Sequence, residues 1–317
     1  MYFVRLHGTN IAPTGTEVSF LFAAMNIPLG VRLAFSIAVP LLIVNRGHKK
    51  KSLNFSGALS SVIVGFLLTF TNLCFFSALL AFFVSGSFVT KLKADVKRNI
   101  EYDFKEGGQR NWVQVICNGG VAVGASVLYL IDVGCREQPI DFAHEFNASI
   151  FSIAVLGSLA CSSGDTWASE IGSVYGANPR LITTLSLVPV GTNGGVTLIG
   201  TIASLVGGAI VGVAYYVAMV AVMTYDMTHD KYPSQWPIVI TGMLGGLIGS
   251  LIDSLVGAKL QYSGYCDIKK RIVHEPSATT KHICGRAILS NHGVNFVSAL
   301  LTGFAMPVVA YVVWKYV

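Results

Sequence analysis

The stretch that decides the fold is VTLIGTIASLVGGAIVGVAYYVAMVAVM, residues 196–223, which contains no charged side chain. A helix needs about 20 apolar residues to cross a hydrocarbon layer of roughly 30 Å. Seven further apolar runs predict the same structure, at residues 27–44, 55–71, 73–89, 113–131, 148–163, 238–256 and 296–313. The run at 148–163 is short and the run at 196–223 is long, so the helix boundaries are approximate.

The composition agrees with a chain embedded in a bilayer. Apolar residues make up 53% of the 317 residues, charged residues 12%, and the mean hydropathy is +0.62. This composition departs from that of a soluble domain. The fold class predicted is an all-α, polytopic transmembrane helical bundle of about eight helices with glycine-rich and basic cytosolic loops. We expect an amino-terminal segment, residues 1–26, and one transmembrane domain, residues 27–317, with a long cytosolic loop at 257–295.

Neither a targeting signal nor a disulfide framework is predicted. Residues 1–26 lack a basic stretch followed by an apolar core and a cleavage site. The six cysteines are scattered without a CxxC pair. The set Cys266, His274, His282 and Cys284 fits no familiar zinc spacing, and we interpret it as part of an ordinary polar loop.

The distribution of Lys and Arg predicts the orientation. Cytoplasmic loops carry an excess of these residues near helix ends. The opposite side holds Arg136, Lys231 and Lys315, besides Arg5 in the amino-terminal segment. We therefore place both termini on the lumenal or external side. Seventeen basic residues share the cytosolic side: Arg46, Lys49, Lys50, Lys51, Lys91, Lys93, Lys97, Arg98, Lys105, Arg110, Arg180, Lys259, Lys269, Lys270, Arg271, Lys281 and Arg286.

Three acids stand near the cytosolic ends of apolar segments, where ionisable side chains are costly and tend to mark function. Asp165 and Glu170 follow the fifth run, and Asp253 lies near the end of the seventh. Asp165 shares a helical stripe with Ala168, Gly172 and Gly176. Asp253 shares another stripe with Gly246, Gly249, Ser250 and Gly257. Close helix packing would explain the small residues as well, but it does not require an acid in each stripe.

The turn Gly191-Thr192-Asn193-Gly194-Gly195 opens the sixth helix. Glycines let the backbone approach an anion, and N–H groups at a helix start favour phosphate; a plain tight turn is the alternative. Acids for Mg²⁺, backbone donors and basic side chains such as Lys91, Arg110 and Lys259 together suit phosphoryl transfer. Residues 259–295 are long enough for a lid, which ends in the pair Asn291 and Asn295, although helix capping explains Asn291 nearly as well.

Several longer strings of the sequence stand at 51–53 (KSL), 56–58 (SGA), 106–112 (EGGQRNW), 117–120 (CNGG), 164–172 (GDTWASEIG), 188–195 (VPVGTNGG) and 253–258 (DSLVGA). These strings make the chain similar to the family of transmembrane protein 19 and the plant phytyl-phosphate kinase. The Asp165 stripe also resembles the opening of the CTP-binding pattern of dolichol and phytol kinases, D-x-x-A-x-x-x-G-x-x-x-G, although the Lys-Lys-Thr-x-Glu-Gly block of that pattern is replaced by residues 191–195.

The resemblance implies a kinase that converts an isoprenoid monophosphate to the diphosphate, with CTP or another nucleoside triphosphate as donor and Mg²⁺ as cofactor. Asp165, Glu170 and Asp253 are the expected catalytic residues and metal ligands. Nucleotide and phosphate binding is assigned to Ala168, Ser169, Gly172, Gly176, Gly191, Thr192, Asn193, Gly194, Gly195 and Lys259. Acceptor-phosphate binding is assigned to Lys91, Arg110, Asn118, Asn291 and Asn295.

The expected partners are the isoprenoid monophosphate and membrane lipid, without nucleic acid, and a homo-oligomer stays open. The expected location is the endoplasmic reticulum or another endomembrane, with the site facing the cytosol. Two other functions stay open from the sequence. A transporter or lipid carrier would use Asp165 and Asp253 as substrate or ion sites. A structural protein would tolerate their substitution.

Overall fold

The computed structural model describes residues 27–96, 108–227 and 232–316. The predicted amino-terminal segment and four of the counted basic residues, Lys97, Arg98, Lys105 and Lys231, lie outside these ranges. The described chain forms eight long helices: α1 Leu29–Lys49, α2 Phe55–Thr71, α3 Leu73–Lys91, α4 Trp112–Val133, α5 Phe146–Tyr175, α6 Leu198–Met227, α7 Pro237–Leu260 and α8 Asn291–Lys315.

Each of the eight apolar runs corresponds to one of these helices, which confirms the helical membrane fold. Seven of the described helices are long and apolar enough to span a bilayer, and α2, with 17 residues, is a shorter apolar helix. Large apolar side chains such as Leu42, Phe88 and Val308 are exposed on the outer surface of the bundle. A bilayer accounts for this exposure, because lipid tails are as apolar as these side chains.

Two helices differ from their apolar runs in an informative way. The fifth run is short because it ends at Ser163, whereas α5 continues to Tyr175 and its polar last part carries Asp165 and Glu170. The sixth run is long, and α6 contains a non-helical residue, Met223, near its end. Asp165 consequently lies ten residues before the end of α5, about 15 Å below it at 1.5 Å per residue.

Polar residues set several helix starts. The side chains of Asn54, Asn72 and Ser290 each accept a hydrogen bond from a backbone N–H in the first turn of the helix that follows. Asn111 and Gln114 form a reciprocal capping box at the start of α4. These caps end the loops at defined residues and therefore fix where the neighbouring polar side chains point.

The core is built around α5, which contacts α3, α4, α6, α7 and α8. Glycines bring α5, α6 and α7 close together. A Cβ added at Gly164 would lie 2.6 Å from the Cα of Gly246, and one added at Gly208 would lie 2.9 Å from the same atom. The small residues of the two stripes therefore do pack helices, as one of the two sequence interpretations held.

The two ends of the bundle are distinct. At the end that we name the cavity end, α1, α3, α5 and α7 finish and α2, α4, α6 and α8 begin. Hydrogen bonds join its loops, for example Arg110 N to Ser52 O at 3.1 Å. At the opposite end, Gln235 bonds the backbone of Ile140 through both its oxygen and its nitrogen. All of the basic residues that we predicted to share one side and that the structure describes lie at the cavity end.

Short strands occupy the loops of the cavity end, which the helical prediction missed. Strands β1 Arg180–Leu181 and β2 Gly195–Val196 pair antiparallel. Strands β3 Ser263–Cys266, β4 Arg271–Val273 and β5 Thr280–Cys284 form an antiparallel sheet in the order β4-β3-β5. The predicted 257–295 loop is therefore shorter, running from Gln261 to Ser290, and is partly folded. All six cysteines are free thiols.

Candidate active site

A polar cavity of about 870 Å³ opens at the cavity end. Its walls come from the cavity-end parts of α3 to α8 and from the loops that join them. Most of the residues predicted for the site line it. These are Arg110, Asn118, Asp165, Ala168, Ser169, Glu170, Gly172, Gly191, Thr192, Asn193, Gly194, Gly195, Asp253, Asn291 and Asn295.

Two acids of the cavity are Asp165 on α5 and Asp253 on α7, and these two helices pack directly against each other. Asp253 Oδ2 accepts a hydrogen bond of 3.0 Å from Ser298 Oγ. Asp165 has neither a hydrogen bond nor an ion pair with any residue that the structure describes. A carboxylate that faces a cavity without a protein partner is available to a ligand.

Glu170 lies five residues after Asp165 on α5 and also lines the cavity. The three acids nevertheless do not form a ready metal site. No group of three His, Cys, Asp or Glu side chains within the described ranges is close enough to hold a metal ion. The predicted set of Asp165, Glu170 and Asp253 thus shares one cavity without being assembled around one point.

Arg110 lines the same cavity from the loop just before α4, and its backbone is fixed on both sides. Its N–H donates to Ser52 O at 3.1 Å, and its carbonyl accepts from Asn54 N at 3.1 Å. Gly57 permits this arrangement, because a Cβ there would collide with the Arg110 carbonyl oxygen. The α1–α2 connection therefore positions a guanidinium that lies more than 50 residues further along the chain.

The Arg110 side chain lies between a polar and an apolar environment. Nη1 donates to Ser87 Oγ at 3.0 Å, and the guanidinium carbon lies 5.9 Å and 5.7 Å from the ring centroids of Phe82 and Phe83. Burial lowers the pKa of Arg110 from its ordinary 12.5, and the charge of Glu170 acts in the opposite direction. An arginine guanidinium is a cation at neutral pH.

Three asparagines join different helices along the cavity wall. Asn295 Nδ2 donates to Asn118 Oδ1 at 3.1 Å, which links α8 to α4. Asn291 Oδ1 accepts from Gln261 Nε2 at 3.4 Å. Asn291 is the first residue of α8, and the helix is capped by Ser290. The structure therefore agrees with a polar pair at Asn291 and Asn295 and excludes capping as the role of Asn291.

The glycine-rich turn at 191–195 lies over α7. Gly191 and Gly194 have φ values of +89° and +76°, which favour glycine. A Cβ at Gly194 would lie 2.6 Å from Ser254 O. The turn does not open α6 directly, as the sequence suggested. It leads into β2, and the first turn of α6 is capped by Thr197, whose Oγ1 accepts from Gly200 N at 3.0 Å.

Several N–H groups of the turn are already used. Those of Thr192 and Gly195 donate to Pro189 O and Thr192 O, and that of Asn193 donates to Ser263 Oγ at 3.0 Å. The N–H groups of Gly191 and Gly194 have no acceptor within the described chain. Fewer backbone donors are thus available to a phosphate than the sequence implied, because two of them donate to carbonyls of residues 189 and 192 and a third donates to β3.

Three predicted site residues lie outside the cavity lining. Lys91 is exposed, and its Nζ donates to Lys50 O at 2.8 Å. Lys259 is also exposed, on the other side of α7. Gly176 packs against the start of α6, where an added Cβ would lie 2.6 Å from Thr197 Oγ1. Packing thus accounts for Gly176, and neither lysine reaches the acids.

The structure adds residues that the sequence interpretation did not select. Gln114, Ser298 and Tyr262 contact or line the cavity. Tyr262 and His274 belong to the loop that holds the small sheet, and Asn193 Nδ2 contacts His274 Nδ1 at 3.2 Å. Helical spacing could have identified two of these residues. Ser298 lies one turn after Asn295, and Gln114 lies one turn before Asn118, so each shares a helix face with a residue that the sequence had already indicated.

The fold and the cavity define a polytopic helical membrane protein with a polar, acid-bearing cavity at one end. The chain belongs to the family described as integral membrane protein DUF92, whose family model matches residues 38–303. It is 39% identical to Protein PGR of Arabidopsis thaliana over 273 residues, which covers 86% of this chain and 94% of the relative. The predicted family resemblance is confirmed.

Other relatives are less similar to the chain. Protein VTE6, chloroplastic, of Arabidopsis thaliana is 29% identical over 177 residues, covering 55% of this chain and 47% of that protein. An uncharacterized membrane protein of Methanocaldococcus jannaschii is 29% identical over 187 residues, covering 59% of this chain and 71% of the relative. No solved structure matches the chain significantly.

Proposed function

We propose that the protein transfers a phosphoryl group from a nucleoside triphosphate, with CTP favoured, to an isoprenoid monophosphate and releases the isoprenoid diphosphate. The observation that carries this proposal is the polar cavity, whose lining contains the acids Asp165 and Asp253 together with the cation Arg110. The relative VTE6 supports a kinase-like enzyme at 29% identity. The volume of about 870 Å³ suits a nucleotide beside a second phosphate group.

The two substrates would enter from different environments. The nucleotide is water-soluble and would enter from the open end, between the 191–195 turn and Asn291. The isoprenoid tail prefers the bilayer, and its phosphate would approach Arg110 and Asn118 from the side of α4. This arrangement brings both phosphates to the acid-lined floor of one cavity.

The acids fit the hard, oxygen-preferring ion Mg²⁺. Mg²⁺ is usually held by one or two carboxylates together with substrate phosphates and water, so a preformed three-acid site is not needed. Asp165 and Asp253 would hold it, with Glu170 nearer the cavity opening. When bound, the ion would offset the negative charge of the nucleotide phosphates.

The chain's own residues would position the reacting groups. An oxygen of the acceptor monophosphate forms the new bond to the γ-phosphorus, while the bond from that phosphorus to the bridging oxygen breaks and its electron pair leaves with the nucleoside diphosphate. Arg110 would orient the acceptor and offset its charge. A strong general base is not required, because a phosphate monoester is already an anion near neutral pH.

The alternative of a transporter finds less support. The residues that line the cavity come from one end of the bundle. Below them, every residue of α5 from Ser152 to Gly164 is buried, with the exception of the half-buried Ala154. A carrier with alternating access would need a path past this series, and the kinase proposal needs none.

The test is a product assay on the purified protein in lipid nanodiscs. Prenyl monophosphates of several lengths are supplied with Mg²⁺ and each of CTP, ATP, GTP and UTP, and prenyl diphosphate is measured by mass spectrometry. We expect diphosphate with CTP, and loss of product when the metal is chelated. Absence of diphosphate with every donor and every chain length would overturn the proposal.

We further propose that the cavity end faces the cytosol of an endomembrane such as the endoplasmic reticulum. The support is the excess of basic residues at that end. Glycosylation tags inserted beside Lys50 and Lys270 should stay unmodified in cells. Modification of either tag would reverse the orientation.

A further inference from the structure

An apolar groove adjoins the polar cavity on its α1–α3 side. It has a volume of about 70 Å³, and nearly all of its lining is apolar. Its walls are contributed by α1, α2, α3 and the start of α4. Arg110, Gln114 and Asn118 line both the groove and the polar cavity. The two spaces therefore meet at the guanidinium of Arg110.

The groove lies between points where helices touch. A Cβ on Gly47 would lie 2.9 Å from the Phe83 ring, which marks contact of α1 with α3 near the cavity end. Further down, Pro40 of α1 packs on Gly65 of α2, where an added Cβ would lie 3.0 Å from the proline. From Gly47 to Pro40 the groove follows α1 for about 10 Å at 1.5 Å per residue.

The groove is accessible from the lipid. Ile43, Leu80 and Phe83 line it and are half-buried, whereas their neighbour Leu42 is 62% exposed and points away from it. Its length of about 10 Å is less than half of a hydrocarbon layer of roughly 30 Å. A long hydrocarbon chain lying in it would therefore continue into the bilayer.

The charge of Arg110, where the groove meets the polar cavity, indicates which ligand the groove would bind. One end of the groove carries a guanidinium and two amide side chains, and the remainder is apolar except for Ser61. A phosphate group fits the charged end and a hydrocarbon chain fits the rest. Arg110 itself contacts both environments, since it bonds Ser87 and lies over two phenylalanine rings.

We infer that this groove binds the head-proximal part of an isoprenoid monophosphate tail, with the phosphate on Arg110 and Asn118 and the distal tail in the lipid. The inference rests on the proposed function for the identity of the acceptor and assigns its site of entry. It also predicts weak selection for chain length beyond the groove, because the distal tail contacts only lipid.

The first experiment is photo-crosslinking without nucleotide. The full-length protein in nanodiscs is irradiated with an isoprenoid monophosphate that carries a diazirine close to its phosphate, and labelled peptides are identified by mass spectrometry. We expect label on α1 and α3 residues that line the groove, such as Ile43 and Leu80, and competition by unlabelled prenyl monophosphate. Equal labelling by the phosphate-free prenyl alcohol, or preferential labelling of lipid-facing residues such as Phe88, would overturn the inference.

The second experiment blocks the groove. Ile43→Trp adds volume inside it, and Leu42→Trp adds the same side chain on the neighbouring lipid-facing position. We expect the first variant to weaken binding of the prenyl monophosphate about tenfold, as overfilling a packed site does, and the second to leave it unchanged. If Ile43→Trp fails to fold, Leu80→Trp replaces it. Equal affinity of the groove variant and the lipid-face variant would contradict the inference.

These measurements separate the groove from the catalytic step. Labelling of the groove without diphosphate formation would support the proposed binding site and contradict the proposed kinase activity. Diphosphate formation with labelling elsewhere would retain the kinase and refute the groove.

Discussion

The buried charged residues at the two ends of the bundle differ in whether they have partners within the protein. At the opposite end, Arg32 Nη2 lies 2.7 Å from Glu137 Oε2, and both side chains are nearly inaccessible. Arg32 also donates to Phe70 O, and Glu137 accepts from Leu73 N. At the cavity end, Asp165 has no hydrogen bond or ion pair with any described residue, and its neighbour Gly164 packs closely against Gly246 of α7.

The difference indicates which charges hold the fold and which are kept for a ligand. A buried ion pair in which each partner also bonds the backbone is a structural unit of the fold, even though Arg32 Nε has no partner among the described residues. A carboxylate without a partner beside a cavity costs stability and is retained where a ligand compensates for it. The Arg32–Glu137 ion pair thus links α1, α3 and the α4–α5 loop, whereas Asp165 is available to a ligand in the cavity.

The substitution Asp165→Asn tests the second half of this comparison and has the largest expected effect. Removal of the charge should reduce diphosphate formation by at least about 1,000-fold, equivalent to roughly 4 kcal/mol. The melting temperature should stay the same or rise, because an uncompensated charge is removed. Activity and thermal unfolding are measured on the same preparation.

The matched control for that prediction is Asp132→Asn, which makes the same change at an exposed residue of α4 at the opposite end. It should leave both activity and melting unchanged. Retention of activity by Asp165→Asn would remove this acid from the site.

The substitution Glu137→Gln tests the first half of the comparison. It leaves the Arg32 guanidinium buried without a counter-charge, which should cost about 3–4 kcal/mol of stability. At permissive temperature the turnover rate should be that of the unaltered protein. Thermal unfolding in nanodiscs provides the measurement, and the double variant Arg32→Met with Glu137→Leu should recover part of the loss. A wild-type melting temperature in Glu137→Gln would show that the pair does not hold the fold.

The same contrast explains how far the sequence could predict the molecule. The eight apolar runs predicted the helices because the length needed to cross a bilayer is a strong constraint. Asp165 and Asp253 were selected because an acid within an apolar segment is costly. The length of an apolar run and the presence of an acid within it can both be recognised from a short stretch of sequence, because the bilayer constrains each of them.

Pairing across the chain was not visible in the sequence. Arg32 lies inside the first apolar run and was not selected, because its partner Glu137 lies 105 residues away. The strands of the 261–290 loop were missed because short, mixed polar segments carry little periodicity. Lys91 and Lys259 were selected for charge alone, and the direction of their side chains depends on the rotation of α3 and α7 in the bundle.

The substitution Gly194→Ala alters the turn that covers the cavity. A positive φ disfavours alanine, and its Cβ would meet Ser254 O and Ala258. We expect a cost of about 1–3 kcal/mol and a raised KM for the nucleotide, with a smaller effect on the prenyl substrate. The control is Gly124→Ala in α4, where an added Cβ meets nothing within 4 Å. Equal effects of the two alanines on nucleotide KM would exclude the turn from the nucleotide site.

The smallest expected effect belongs to a second paired acid at the opposite end, Asp141. Burial raises the pKa of its carboxyl, but hydrogen bonds from the His144 side chain and from the N–H groups of Ala143 and His144 outweigh this and leave it below the ordinary 3.8. Because the folded-state pKa is the lower one, the carboxylate stabilises the fold at neutral pH, and this contribution is lost as the pH falls below 3.8. His144 is 81% exposed, so the ion pair itself contributes less than about 1 kcal/mol. Melting temperatures measured from neutral pH down to pH 3 should fall more steeply for the unaltered protein than for Asp141→Asn. Parallel curves would mean that Asp141 is not held by these bonds, and the opposite end would then have one acid as unpaired as Asp165.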